Sequence, residues 1–202
     1  FPGHSLPAVA GRARVRWADS IFPYLQAPES YLSPLLSAAE KPLMRKPFAH
    51  TAPGGVEVPG VTQYYGGYGY NYQHLGNTRQ PDGVPPFHAS DTSIARPDHT
   101  LVIGDTKGTR QGSSDNPHGV GGSGVYVLDP PLGSVALGSQ GSRRTSATPG
   151  PGNAYYEGGE DYSELHRATP ASRNGGRVNL VALDGHAEAL KPDRLDGQHL
   201  GT

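Results

Sequence analysis

Glycine and proline punctuate this chain so closely that regular elements fit only in the short stretches between them. There are 29 Gly and 20 Pro among 202 residues, about a quarter of the chain and roughly twice ordinary usage. Glycine in an element interior costs backbone entropy, and proline removes a hydrogen-bond donor. The level sits just under the range that marks disorder, so the first question is whether the chain folds or stays loose; ordered blocks farther along argue that these residues fill loops between a few fixed elements. The same spacing rules out a transmembrane helix, which needs a run of about 18 apolar residues. It also lacks the strict Gly-X-Y period of collagen and the heptads of a coiled coil.

Charge and cysteine narrow the functional classes. Lys plus Arg is 17 and Asp plus Glu is 18, a net charge of −1, so no global field favours nucleic acid or an anionic membrane. There are no cysteines, which removes disulfides, thiolate metal sites and thiol catalysis. The length fits one domain spanning 1–202. The chain opens at Phe1-Pro2-Gly3-His4 with neither Met nor a signal-peptide pattern. A processed product, or part of something longer, is expected.

Read in order, residues 1–13 are extended. Trp17, Ile21, Tyr24 and Leu25 stand at helical spacing, with Pro23 limiting or kinking that helix. Ser33-Pro34 looks like an N-cap and first helical residue, predicting a short helix to about Lys41 that Pro42 ends. Residues 45–63 and 80–97 read as loop. His99–Asp105 (HTLVIGD) is a buried strand and Val125–Leu128 a short one stopped by Asp129-Pro130-Pro131. Residues 106–124 are Gly-, Ser- and Asp-rich, and 138–153 are the most linker-like, a flexible loop whose Ser and Thr suit O-linked glycans. Residues 177–190 predict a β-hairpin, with Asp184-Gly185 as a two-residue type I′ turn.

Motifs for chemistry are sparse. The nine histidines are scattered, with no HExxH, no HxH and no i, i+4 pair, so surface and loop roles account for them. Gly122-Ser123-Gly124 lacks the strand–turn–helix setting of a nucleophile elbow. Gly104-Asp105-Thr106-Lys107-Gly108 lacks the spacing of a phosphate loop. Glu157, Glu160 and Asp161 are candidate calcium ligands, and Asp115-Asn116 is another oxygen cluster, but neither has EF-hand spacing. Calcium is thus the one cofactor candidate, set against solvated turn residues. The segment from Tyr64 to Tyr72 carries Tyr64, Tyr65, Tyr68, Tyr70 and Tyr72. Residues 64–78 hold no Lys or Arg to interleave with a nucleic acid, so these tyrosines are expected to pack or to make subunit contacts.

The tail carries a resemblance. Arg173-Asn174-Gly175-Gly176-Arg177-Val178-Asn179-Leu180-Val181-Ala182-Leu183-Asp184-Gly185-His186 resembles the C-terminal signature of a large bacterial family of prepilin-type, pseudopilin-like proteins. That signature is a His, nine residues, then Asp-Gly; here Asn174 stands at the His position. Arg16–Leu25 is similar to the family's early helical block, Tyr68–Gly76 to its central aromatic block, and Arg96–Asp105 to the strand that follows. The blocks come in the family's order. Ser33-Pro34 stands where the family often has Cys-Pro.

The resemblance implies a type IV pilin-like globular head. Family members carry an N-terminal apolar helix behind a leader that a prepilin peptidase removes. That helix anchors the precursor in the membrane and then forms the filament core. It is not among these residues, so either it precedes them or the subunit assembles another way, for example by pairing its extended N-terminus with a neighbour's sheet edge.

The signature also has a physical reading. Gly175-Gly176 turns the chain into the strand, Asp184-Gly185 makes the hairpin, and Arg173, Asn174, Asn179 and His186 can satisfy backbone groups in the turns. The expected fold is α+β: a small antiparallel sheet, one or two short N-terminal helices, and long Gly/Pro-rich loops. The expected function is a non-enzymatic structural subunit of an extracellular, cell-surface filament whose partners are copies of itself. A minor pseudopilin acting as an adaptor in a secretion machine is the first alternative. An extracellular carbohydrate-binding or hydrolytic module is the second.

Overall fold

The computed structural model describes residues 15–48, 63–77, 87–108, 125–128, 170–191, 194 and 195. The architecture is mixed α+β, with short helices and small antiparallel sheets. In chain order the elements are α1 (Trp17–Ile21), α2 (Glu40–Leu43), β1 (Lys46–Pro47), β2 (Tyr64–Tyr65), β3 (Tyr68–Tyr70), α3 (Tyr72–Leu75), β4 (Gly76–Asn77), β5 (Phe87–His88), β6 (Leu101–Asp105), β7 (Val178–Ala182) and β8 (Ala187–Leu190). The main sheet has four strands in the order β3-β6-β7-β8, all antiparallel. Strands β1 and β2 form one two-stranded ribbon, and β4 and β5 another.

Side-chain alternation gives the main sheet two faces. On one, Tyr68 and Tyr70 of β3 lie beside Asp105 and Ile103 of β6, and Val181 pairs with Ile103. On the other, Val178 and Leu180 join Leu101, Leu128 and Leu195 in an aliphatic cluster. A register shift between Leu101 and Ile103 lets Leu101 turn to this second face. The first face carries the larger core, which is aromatic. Phe48 sits 4.8 Å from Phe22, 4.9 Å from Tyr31 and 4.9 Å from Tyr65, ring centre to ring centre. Trp17 donates from its indole nitrogen to the Tyr126 carbonyl at 2.6 Å, tying α1 to a segment 109 residues away.

Several local expectations change. Helix α1 stops at Ile21, so Tyr24 does not continue the Trp17 face and is 89 % exposed instead. The helix expected from Ser33 does not form, because the Ser33 hydroxyl donates to Asp105 rather than capping a helix. Just ahead of α2, Ser37 exchanges bonds with Glu40: Glu40 N–H to Ser37 Oγ at 3.2 Å and Ser37 N–H to Glu40 Oε2 at 2.9 Å. Helix α2 then contains Pro42 in its first turn, where a missing N–H costs little. Lys46–Pro47 and Phe87–His88, read as loop, each pair as short strands. Val125–Leu128, read as a strand, runs beside β3 through an isolated parallel bridge between Val127 and Tyr70 and backbone bonds from Gly67 and Tyr70 to Val125 O and Tyr126 O. The extended 1–13, the flexible loop 138–153 and most of the loops 106–124 and 45–63 fall outside the described residues.

The C-terminal hairpin forms as expected over β7 and β8, but its turns are distributed differently. Ala182 and His186 pair through an N–H···O bond of 2.9 Å, leaving the three residues Leu183, Asp184 and Gly185 as the loop. Gly185, at φ +93°, takes the left-handed position of such a three-residue connection. The loop is longer because the Leu183 N–H is drawn to Thr100 O at 2.9 Å and Pro97 O at 3.1 Å. The two-residue turn with both residues left-handed lies at Gly175 (φ +55°) and Gly176 (φ +79°). Asn174 and Arg177 close it with reciprocal bonds of 3.0 Å.

Candidate functional site

The polar residues of the tail meet one carboxylate, that of Asp105 at the end of β6. Asp105 is fully buried. Its Oδ1 accepts from Ser33 Oγ at 2.8 Å. Its Oδ2 accepts from the Asn179 backbone N–H at 3.2 Å and from Asn179 Nδ2 at 2.9 Å. Asn179 Oδ1 in turn accepts from Asn174 Nδ2 at 2.9 Å. Burial pushes the Asp105 carboxyl up from its ordinary range, against the pull of Ser33, Arg173 and Asn179. Tyr68, opposite Asp105 in the ladder, has its hydroxyl pushed up by burial and then by the Asp105 charge.

A second polar group lies alongside. Arg173 donates Nη1 to the Thr106 carbonyl at 2.9 Å, and Nε and Nη2 to Glu40 Oε1 at 3.2 Å each. The Arg173 side chain is 7 % exposed and that of Glu40 is 23 % exposed. Burial raises the Glu40 carboxyl, but the Ser37 N–H and Arg173 outweigh it and hold Glu40 below its usual range. Together these bonds join the 33–40 segment, the end of β6, and the residues entering β7. Both Asp105 oxygens are occupied by protein donors, so the carboxylate acts as an anchor.

The tail residues thus come together, though not as expected. Arg173, Asn174 and Asn179 bond to side chains of a network and to Thr106 rather than satisfying the turns they flank. Gly175 and Gly176 form the turn beside them. Asp184, Gly185 and His186 sit apart at the far end of β7. There His186 Nδ1 contacts Asp184 Oδ1 at 2.6 Å, and its Nε2 lies 3.5 Å from Glu188 Oε1. Sequence reasoning missed Asp105, Ser33 and Glu40. The available signal was an Asp closing an otherwise apolar strand, a position where a buried charge demands partners.

The His186–Asp184 pair has a definite pH signature. Bonding to Asp184 raises the His186 imidazolium, and the His186 backbone N–H and ring lower Asp184. The His186 contribution is complete below the free imidazole value and is lost as pH rises through the raised folded value. The Asp184 contribution is complete above the ordinary carboxylate value and is lost as pH falls through the depressed one. The pair therefore supports the hairpin between those limits. An NMR titration of His186 is expected to show a midpoint above about 6.5, returning toward it in Asp184→Asn. A wild-type midpoint at or below the free value would contradict the pairing.

The five tyrosines separate. Tyr65, Tyr70 and Tyr72 are buried core residues, 0 %, 2 % and 0 % exposed, and so are not contact residues. Tyr64 and Tyr68 are half-buried. Glu157, Glu160 and Asp161, the candidate calcium ligands, lie outside the described residues. Among the described residues no three His, Asp or Glu side chains gather into a metal-holding group.

Above the Asp105 network lies a cleft of about 640 Å³ between α1 and the aromatic face of the sheet. Trp17, Ile21, Leu25, Ile103, Val181 and Ala187 give it apolar walls, with Asn179 and Glu188 as polar points. Leu25 and Val181 are 44 % and 39 % exposed. Comparison with protein-family models, curated proteins and solved structures finds no match to this chain.

Proposed function

We propose that this chain is a non-enzymatic structural subunit, a pilin-like head whose partners are copies of itself in an extracellular filament. The observation that carries the reading is the open apolar cleft with Tyr24, Leu25 and Val181 exposed on the same molecule. Leu25 and Val181 line the cleft while staying exposed, and apolar side chains left open at a concave site suit contact with another molecule. A protruding tyrosine and an apolar recess on one molecule suit a head-to-tail contact, which repeats into a fibre when it does not close. The buried tail network supports the same reading, because it braces the sheet that forms the cleft floor. The resemblance of the tail to prepilin-type proteins supports a filament as the setting for such a head.

The test is assembly of the purified chain, followed by sedimentation and electron microscopy. Concentration-dependent oligomers or fibres are expected, and Tyr24→Ser and Val181→Lys are each expected to reduce them without lowering the melting temperature. Monomers persisting at high concentration would remove the proposal. Fibres unaffected by either substitution would move the contact away from the cleft.

A further inference from the structure

We propose that Asn174–Gly175 is a self-modification site, at which the chain converts its own asparagine amide to an acid, and that Asn179 is the latch controlling the rate. The inference is independent of self-association. Asn174 is exposed, and the residue after it has no side chain to shield its backbone nitrogen. A Cβ placed on Gly175 would meet nothing within 4 Å, so the turn has open space on the side where a side chain would stand.

The chemistry needs no outside reagent but water. The Gly175 nitrogen attacks Asn174 Cγ, forming a new C–N bond and a five-membered imide. The Cγ–Nδ2 bond breaks, and Nδ2 leaves as ammonia with the proton from the Gly175 N–H. Water then adds to one of the two imide carbonyls, opening the ring to aspartate or to isoaspartate. Nothing is oxidised or reduced. The net change is an amide and a water becoming a carboxylic acid and ammonia, a change that alters local charge as other covalent modifications do.

The native structure opposes the first step twice. Ring closure must swing Cγ onto the Gly175 nitrogen. The reciprocal 3.0 Å bonds between Asn174 and Arg177 hold the backbone of the turn. The 2.9 Å bond from Asn174 Nδ2 to Asn179 Oδ1 holds the leaving group, and Asn179 is itself fixed on the buried Asp105. Conversion sets a carboxylate oxygen against Asn179 Oδ1, acceptor against acceptor. The product therefore cannot remake the latch.

The experiment incubates the intact chain at mildly alkaline pH and follows conversion at residue 174 by site-resolved peptide mass spectrometry. Site resolution separates this event from change at Asp184-Gly185. A peptide of residues 171–178 gives the unrestrained rate, and Asn174→Gln provides the blank. The intact chain is expected to convert more slowly than the peptide. Asn179→Ala, shown to be folded by circular dichroism, is expected to convert about 3- to 10-fold faster than wild type, the factor one hydrogen bond's net contribution supplies. No conversion in either chain while the peptide converts would overturn the site. Equal rates in the two folded chains would overturn the latch. Should Asn179→Ala not fold, equal rates in the wild-type chain and the peptide would overturn it as well.

Discussion

Asp105→Ala is expected to lower stability by about 3–5 kcal/mol, from three donors left without their acceptor at about 1–3 kcal/mol each, less relaxation. For a chain of this size each kcal/mol lowers the melting temperature by about 2–4 °C, giving a fall of about 6–20 °C by far-UV circular dichroism. The cause is the set of donors left behind. Ser33 Oγ, the Asn179 N–H and Asn179 Nδ2 all point at the missing carboxylate, and each buried orphan costs about 1–3 kcal/mol. Asp105→Asn tests the same cause with little change in volume. One end of its amide can still accept a bond, but the other presents N–H groups to a donor. It too is expected to destabilise the chain, by less. A change under about 1 kcal/mol in the alanine variant, the lower end for a single buried orphan, would show that the network does not brace the fold.

The pH dependence of the same group has a definite sign. Burial raises Asp105 in the folded chain. Its stability contribution is therefore greatest below the ordinary carboxylate range and declines as pH rises through the raised folded value. That segment of the wild-type stability profile should be missing from Asp105→Asn.

Gly66→Ala is expected to be the most damaging glycine-to-alanine change among the described residues, costing about 4–5 kcal/mol or preventing folding, at the extreme of point-mutant effects. A Cβ on Gly66 would coincide with the carbonyl oxygen of Met44, a backbone atom beside a fully buried side chain. Neither segment can step aside easily, since Met44 N–H closes the end of α2 on Glu40 O at 3.0 Å. Gly66 N–H donates to Tyr31 O at 3.3 Å, and Ser33 N–H donates to Gly66 O at 3.2 Å. Gly175→Ala is the natural comparison, since it has open space but a left-handed backbone at φ +55°. It should cost about 1–2 kcal/mol from conformation alone. Soluble yield and melting temperature measure both variants. A Gly66→Ala protein melting with or above Gly175→Ala would refute the packing of Met44 on Gly66.

What could be read in advance follows the range of the forces involved. The hairpin of β7 and β8, the strand β6 and the start of α1 rest on alternation, spacing and turn residues within a dozen positions, and all are visible in the sequence. The Asp105 network is not, because Ser33 and Asn179 lie 72 and 74 residues from it. Nothing near Leu101–Asp105 signals either partner. The tyrosines stayed ambiguous for another reason. A Tyr serves a core or a contact equally well, and only the tertiary packing sends Tyr65 inward and leaves Tyr64 half-buried. The turn assignment failed because Asp-Gly suits more than one loop length, and the bonds from Leu183 to Pro97 and Thr100 decided between them.

The place of β7 in the sheet has a consequence for how the protein is made. It lies between β6 and β8, so its interior position is filled by residues synthesised long after Asp105. Closing so long a loop adds little to the equilibrium cost, since each doubling of length adds only about 0.6 kcal/mol. Its effect falls on speed, because pairings distant in sequence form slowly. Until Val178–Leu190 emerges from the ribosome, β6 has one edge unpaired and Asp105 has none of its Asn179 donors. The nascent chain therefore holds an open edge on β6 from the emergence of that strand until the C-terminal hairpin follows, and a chaperone that covers that edge would act within that interval.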